Sequence, residues 1–272
     1  MAIVFLGGGR ITSALLTGLR LADFKEPIIV HDRNAHKLRA LKKKFGVSVE
    51  ADLQRAIDKA SLLMIAVRPG NVADLLKTIR VGALLRGRDD KKQRELLACS
   101  LAAGIPLAKL KAQLGSPVRW ARAMPSPVAR SRRGLTAVAF ERSLPKSSRK
   151  KIRDLLANVS TVLEIPESKF DAFTVSYSSS HGYHALSVLA TAAQKLGLDR
   201  RTAFIAGAHA LADGIWSWRE EKVSLESLLH EAATPGGIAA TVMRTMDAAG
   251  YPKAVEKGLR AGVARARKNA RS

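Results

Sequence analysis

The first twelve residues constrain this chain most. Ala2-Ile3-Val4-Phe5-Leu6 is a continuous apolar run that stops at Gly7-Gly8-Gly9, after which Ile11, Leu15, Leu16 and Leu19 recur at helical spacing. A strand, a glycine turn and an amphipathic helix in that order open a βαβ unit. Glycine serves two physical ends there: it permits a tight turn, and it lets backbone N–H groups approach an anion at the helix N-terminus. Gly7 and Gly9 match the first two glycines of G-x-G-x-x-[G/A], with Thr12 standing where the third small residue is expected. The turn from Gly7 to Thr12 is therefore expected to hold a pyrophosphate, against the plainer reading of a glycine turn that binds no nucleotide.

The alternation continues along the chain. Ile28-Ile29-Val30 follows Pro27, and Leu38, Leu41 and Phe45 mark a helix face closed by Gly46. Residues 62–67 and 96–101 read as further strands, with Val72, Leu75, Leu76 and Ile79 on the helix between them. Continuous apolar strands separated by amphipathic helices predict an α/β fold with a mostly parallel sheet covered on both faces. Residues 118–124, 135–140 and 161–165 read as later strands, with a helix over about 147–158. From Ser168 onward only helical spacing remains, which places a boundary near residue 165 between an α/β half and an all-α half. The basic tail, residues 260–271, reads as frayed or solvated.

Asp32 ends the second strand, 25 positions after Gly7, near the ~20 expected of an acid that accepts from a ribose 2′-OH. Arg33, with Asn34 and Lys37 nearby, suits a 2′-phosphate instead. The adjacent cation favours NADP(H), with NAD(H) as the alternative. A plainer reading stays open: Asp32 or Asn34 caps the next helix, and the two cations are solvated.

The net charge of +23 requires a surface that attracts anions without choosing among them. Nucleic acid is a rival partner, but the basic residues are scattered over nearly every element and no helix-turn-helix, zinc or base-stacking signature accompanies them. No apolar run reaches membrane-spanning length, and no secretory leader is apparent at Met1. Cys99 stands alone, so no internal disulfide is available and a cytoplasmic location is expected. The histidines lack partners at ligand spacing, so no metal site is expected.

Ala66-Val67-Arg68-Pro69, Ser100-Leu101-Ala102-Ala103-Gly104-Ile105, Arg122-Ala123-Met124-Pro125 and Thr234-Pro235-Gly236-Gly237 follow the N-terminal glycines in one order. This ordered set resembles the pyrroline-5-carboxylate reductase family over essentially the whole chain. The resemblance implies a Rossmann-type doubly wound domain, residues 1–165, followed by an all-α dimerisation and substrate domain, residues 166–272. It implies a homodimer or a higher assembly of dimers that reduces a cyclic imine carboxylate with NAD(P)H, 1-pyrroline-5-carboxylate to L-proline. Gly7, Gly9, Arg10, Ile11 and Thr12 are implied to cradle the cofactor's pyrophosphate, and Val67, Arg68, Pro69, Ala102, Ala103 and Gly104 to border it near its ribose and nicotinamide. Gly236 and Gly237 are implied to open a helix whose N–H groups hold the anionic substrate, a role that unpaired donors and a positive dipole end also support on their own. Thr234 is expected to cap that loop.

The departures cluster around the expected substrate. Where the family reads Ser-Gly-Ser-Gly-Pro-Ala-Tyr, this chain has Tyr177-Ser178-Ser179-Ser180-His181-Gly182-Tyr183, matching at Ser179 and Tyr183. The family's Thr-Thr after Pro-Gly-Gly is Ile238-Ala239, and its Asn-Thr-Pro after Met-Pro is Ser126-Pro127-Val128. Ser179 is expected to orient the substrate; His181 is a candidate proton donor or, alternatively, packs at a helix start. Losing hydrogen-bond partners alters substrate choice or rate more than fold. Reduction of a different cyclic imine or a related small carbonyl compound is thus the alternative function, and a catalytically weak paralogue a lesser one.

Overall fold

The computed structural model describes residues 1–85, 95–221 and 223–271. Among these, strands β1 (Ala2–Leu6), β2 (Ile28–His31), β3 (Ser48–Val49), β4 (Ala60–Ile65), β5 (Leu96–Ser100), β6 (Val118–Met124), β7 (Leu135–Phe140) and β8 (Thr161–Glu164) form one sheet in the order β3-β2-β1-β4-β5-β6-β7-β8. Pairing is parallel from β3 through to β6, antiparallel between β6 and β7, and parallel again between β7 and β8. The helices between strands are α1 (Arg10–Leu21), α2 (Ala35–Phe45), α3 (Leu53–Asp58), α4 (Val72–Leu85), α5 (Leu107–Gln113) and α6 (Lys146–Ala157). After the sheet come α7 (Phe170–Ser176), α8 (Ser179–Lys195), α9 (Arg200–Glu221), α10 (Leu225–Ala232), α11 (Ile238–Ala248) and α12 (Tyr251–Arg271).

The strands read as unbroken apolar runs because both faces of the sheet are covered. Ile3 and Phe5 pack with Leu15, Leu16 and Leu19 of α1, Leu38 and Leu41 of α2, and Ile152 and Leu156 of α6. Val4 and Leu6 point the other way, into Ile57 of α3, Leu76 and Ile79 of α4, and Leu110 of α5. Each fully buried Leu, Ile or Phe stabilises by roughly 1.5–3 kcal/mol, which makes this two-sided burial the main force that holds the sheet. Helix α2 shows both end signals: the Asn34 side chain accepts from the Lys37 N–H at 3.1 Å, and Gly46 sits in the left-handed region at φ 61°.

The chain falls into two compact units, Ser178–Ala261 and the described residues of Met1–Tyr177 with Gly262–Ser272. Of the two expectations for the tail, fraying is corrected here, while the charges of Arg260, Arg265, Arg267 and Lys268 are solvated. Helix α12 continues to Arg271, Ala266 is buried, and the carbonyl of Ala266 lies so close to Gly104 that a Cβ there would stand 2.3 Å from it. Lys109 Nζ donates to the Ala270 carbonyl at 2.8 Å, satisfying an acceptor that the helix end leaves open. The small residues of the tail, rather than its charges, decided its place. In the second unit α8 and α9 form a hairpin around the fully buried Ala190 and Ala203. Among the described residues no helix is long and apolar enough to cross a membrane.

Candidate functional site

The strand order reverses direction at β1. The chain runs from β1 outward to β2 and β3, then returns to place β4 on the other side of β1. The carboxyl ends of β1 and β4 therefore open a crevice at a topological switch point, where open α/β sheets hold ligands. Gly7 to Gly9 leave β1 at this edge, Asp32 leaves β2, Val67 to Pro69 follow β4, and Ala102 to Gly104 follow β5.

Gly7 has φ 112°, and a Cβ there would lie 2.7 Å from the Ala66 carbonyl, so only glycine fits between β1 and β4. Thr12 is fully buried and its hydroxyl donates to the Gly7 carbonyl at 2.5 Å, which closes the turn from within. Gly9 differs from its neighbours: a Cβ there would meet nothing within 4 Å. It is the N-cap of α1, makes no side-chain capping bond, and no acidic residue occupies the first turn. The amides at the start of α1 thus keep their donors beside open space. Those two observations fit a diphosphate. Arg10 is exposed and Ile11 half-buried at the same helix start.

Asp32 is tied to this turn. One carboxylate oxygen accepts from the Gly8 N–H at 2.8 Å, the other from the Asn34 N–H at 2.8 Å, and Lys37 Nζ stands 3.7 Å away. Burial works to raise the carboxyl's pKa, but the donors of Asn34 and Gly8 and the charge of Lys37 outweigh it and hold it below the ordinary Asp value. Asn34 caps α2, as its backbone position requires, and Arg33, Asn34 and Lys37 are all exposed. At the next edges Val67 and Pro69 are half-buried and Arg68 is exposed. Ala102 and Gly104 are buried, with Ala103 half-buried between them. Cys99 is wholly buried in β5, and burial pushes its thiol up to about 12, which leaves it unreactive. Ser126 accepts from the Val128 N–H and so caps a short 3₁₀ turn.

The second unit carries the residues expected at the substrate. Ser178 is the N-cap of α8, with Ser179 half-buried at the first helical position and His181 exposed one turn in. Thr234 accepts from the Gly237 N–H at 2.8 Å through its carbonyl, forming the turn between α10 and α11. Gly236 needs its φ of 76°, and Gly237 is the N-cap of α11 without a side-chain acceptor. The first-turn amides of α11 therefore also keep their donors. Ile238 at that helix start is 87% exposed. Among the described residues no group of three or more His, Cys, Asp or Glu could hold a metal ion.

Comparison with known proteins supports the resemblance. A family model described as NADP oxidoreductase, coenzyme F420-dependent, matches residues 2–88, and one described as pyrroline-5-carboxylate reductase dimerisation matches residues 167–269. A pyrroline-5-carboxylate reductase of Corynebacterium melassecola is 27% identical over 251 residues, 91% of each chain. The chain carries the dimerisation domain of pyrroline-5-carboxylate reductases and is similar to these enzymes along nearly its whole length. The fold agrees with solved structures of such reductases from Coxiella burnetii, at TM-score 0.85, 23% identity and coverage of 99% and 98%, and from Plasmodium falciparum with NADP bound, at TM-score 0.84, 18% identity and the same coverage.

In this chain, sequence reasoning passed over Gly8, Gly18 and the partners of Arg122. Gly8 supplies the N–H that Asp32 holds. Gly18 lies in the middle of α1, where a Cβ would stand 2.2 Å from the Ala129 carbonyl. A glycine interrupting a helical pattern was the available signal. Arg122, inside the apolar strand β6, was another: its guanidinium is 2% exposed and pairs with Glu167 at 2.7 Å and Asp171 at 3.4 Å.

Proposed function

We propose that the protein is an NAD(P)H-dependent oxidoreductase of a C=N bond that reduces 1-pyrroline-5-carboxylate to L-proline, the activity for which its relatives are named. The observation that carries this reading is the open, donor-rich turn at Gly9 on the β1/β4 switch point in a chain that matches the family's two halves. Bound at that edge, the reduced dinucleotide supplies a hydride to the imine carbon. The amides of Gly9, Arg10 and Ile11 hold its diphosphate. Asp32 is already engaged by Gly8 and Asn34 and has Lys37 beside it, so the exposed cation Arg33, next to Lys37, is the group placed to read a 2′-phosphate, which favours NADPH over NADH.

On the second unit, the amides at the start of α11, after Gly236 and Gly237, suit the substrate carboxylate, with Thr234 shaping the turn. Ser179 orients the ring, and His181 stands at the same helix start as a proton source. A protonated ring nitrogen makes the imine carbon electrophilic in itself, so positioning matters more than a strong protein acid. We assign the unit a second role in pairing with another copy of the chain, consistent with the dimerisation model it matches and with Ile205, Ile215, Trp216 and Trp218 exposed on α9. One observation favours a second reading, a cyclic imine of different ring size: the hydrocarbon side chain of Ile238 projects from α11 where the family carries a hydroxyl.

Purified protein given NADPH and 1-pyrroline-5-carboxylate is expected to consume both in equal amounts and release proline. Faster turnover of piperideine carboxylates would select the second reading, and failure to bind either nucleotide would remove both. Arg33→Ala should reduce the preference for NADPH over NADH by about tenfold, the worth of a lost charged hydrogen bond. An unchanged ratio excludes Arg33 as the phosphate reader.

A further inference from the structure

Arg122 is the third residue from the end of β6 and one of the few charged groups buried in the first unit. Its Nη1 donates to Glu167 Oε1 at 2.7 Å, its Nη2 to Asp171 at 3.4 Å, and its guanidinium carbon lies 4.2 Å from the centre of the Phe170 ring. The same Glu167 oxygen accepts from the Leu107 N–H at 3.0 Å. Leu107 begins α5, whose N-cap is Pro106 with no side-chain acceptor. A carboxylate sixty residues further along the chain thus caps this helix.

The cap fixes the far end of the segment that leaves β5 and crosses the cofactor edge. The near end is held by the Leu101 N–H on the Ile65 carbonyl at 2.9 Å and the Ala102 N–H on Ser100 Oγ at 3.3 Å. In the middle, Gly104 lies under the Ala266 carbonyl. The adenosine end of a dinucleotide would belong beside Asp32, just after β2, which would direct its nicotinamide end across β4 toward β5 and this segment. The network is not built for stability: Arg122 Nε and Glu167 Oε2 are buried without partners, and a half-satisfied buried ion pair is a poor substitute for apolar packing. What it provides is a defined position.

We infer that Arg122 and Glu167 are positioning residues that set the Ala102-Ala103-Gly104 segment against the nicotinamide end of the bound dinucleotide. This rests on the dinucleotide reading above. Neither residue touches the cofactor; Glu167 acts through Leu107, and Arg122 acts through Glu167.

The test compares the affinities of the full chain for NADPH and for 2′,5′-ADP, which carries the adenosine end alone, by calorimetry, with melting temperature measured alongside. Glu167→Asp keeps a countercharge for Arg122 but is one methylene too short to reach Leu107 as well. It should weaken NADPH about tenfold and leave 2′,5′-ADP unchanged. Glu167→Gln keeps the length and the acceptor, and should restore NADPH to within about threefold of the unaltered protein. Equal weakening of both ligands in Glu167→Asp, wild-type affinity for both, or no recovery in Glu167→Gln would each overturn the assignment. If the unaltered protein binds neither ligand, the dinucleotide reading itself fails, which is a different result.

Discussion

A single carboxylate joins the glycine turn to the start of α2. Asp32 accepts from Gly8 and from Asn34, and these bonds together with Lys37 keep its pKa depressed despite burial. A group whose folded pKa is depressed adds stability above its unfolded pKa and loses it as the pH falls through the folded value. Asp32→Asn should therefore be less stable than the unaltered protein at neutral pH, by about 1 kcal/mol after allowance for solvent screening. The gap should close as the pH drops below about 4. Thermal melts of both proteins across that range measure it; a gap independent of pH would mean that the ionised carboxylate contributes nothing. The candidate position of Asp32 was legible from its distance to Gly7, but its partners were not. Spacing says which residues end a strand, whereas the bond to Gly8 depends on how two neighbouring strands end side by side.

Helix α1 packs so closely on the 3₁₀ turn at Pro127–Ser131 that Gly18 has no room for a side chain: a Cβ would lie 2.2 Å from the Ala129 carbonyl and 2.8 Å from Val159. Alanine is the better helix former by roughly 1 kcal/mol, so propensity alone predicts that Gly18→Ala stabilises. The overlap with a backbone atom outweighs that gain, and a net loss of about 1–3 kcal/mol in denaturant unfolding is expected. Unchanged or increased stability would show that the turn moves aside freely. Elements with a long apolar period, such as α1, α4, β6 and β7, were readable because their own residues bury their own faces. Strand β3 is two residues long and exists by pairing Ser48 with Ile29 and Val49 with Val30. Helix α5 receives its cap from Glu167. Neither carries its reason within its own stretch of chain.

The second unit exposes many large apolar side chains, Trp216 at 61% and Trp218 at 46% on α9 among them, the kind of surface that suits a protein partner. Trp216→Glu places a charge on that surface and should convert the proposed dimer to monomers by light scattering, while leaving NADPH affinity on the first unit unchanged. A variant that stays dimeric would place the interface elsewhere. The alternation of the longer strands and helices, the glycine turn, the change to all-helical spacing and the ordered motifs were determined by the sequence alone, because periodicity and glycine requirements act over a few residues. The return of α12 to Gly104, the burial of Arg122 beside Glu167 and Asp171, and the tie between Asp32 and Gly8 were decided only in the tertiary structure. Each joins residues well separated along the chain, and their partners are chosen by which backbones come within hydrogen-bonding or contact distance once the sheet is covered on both faces.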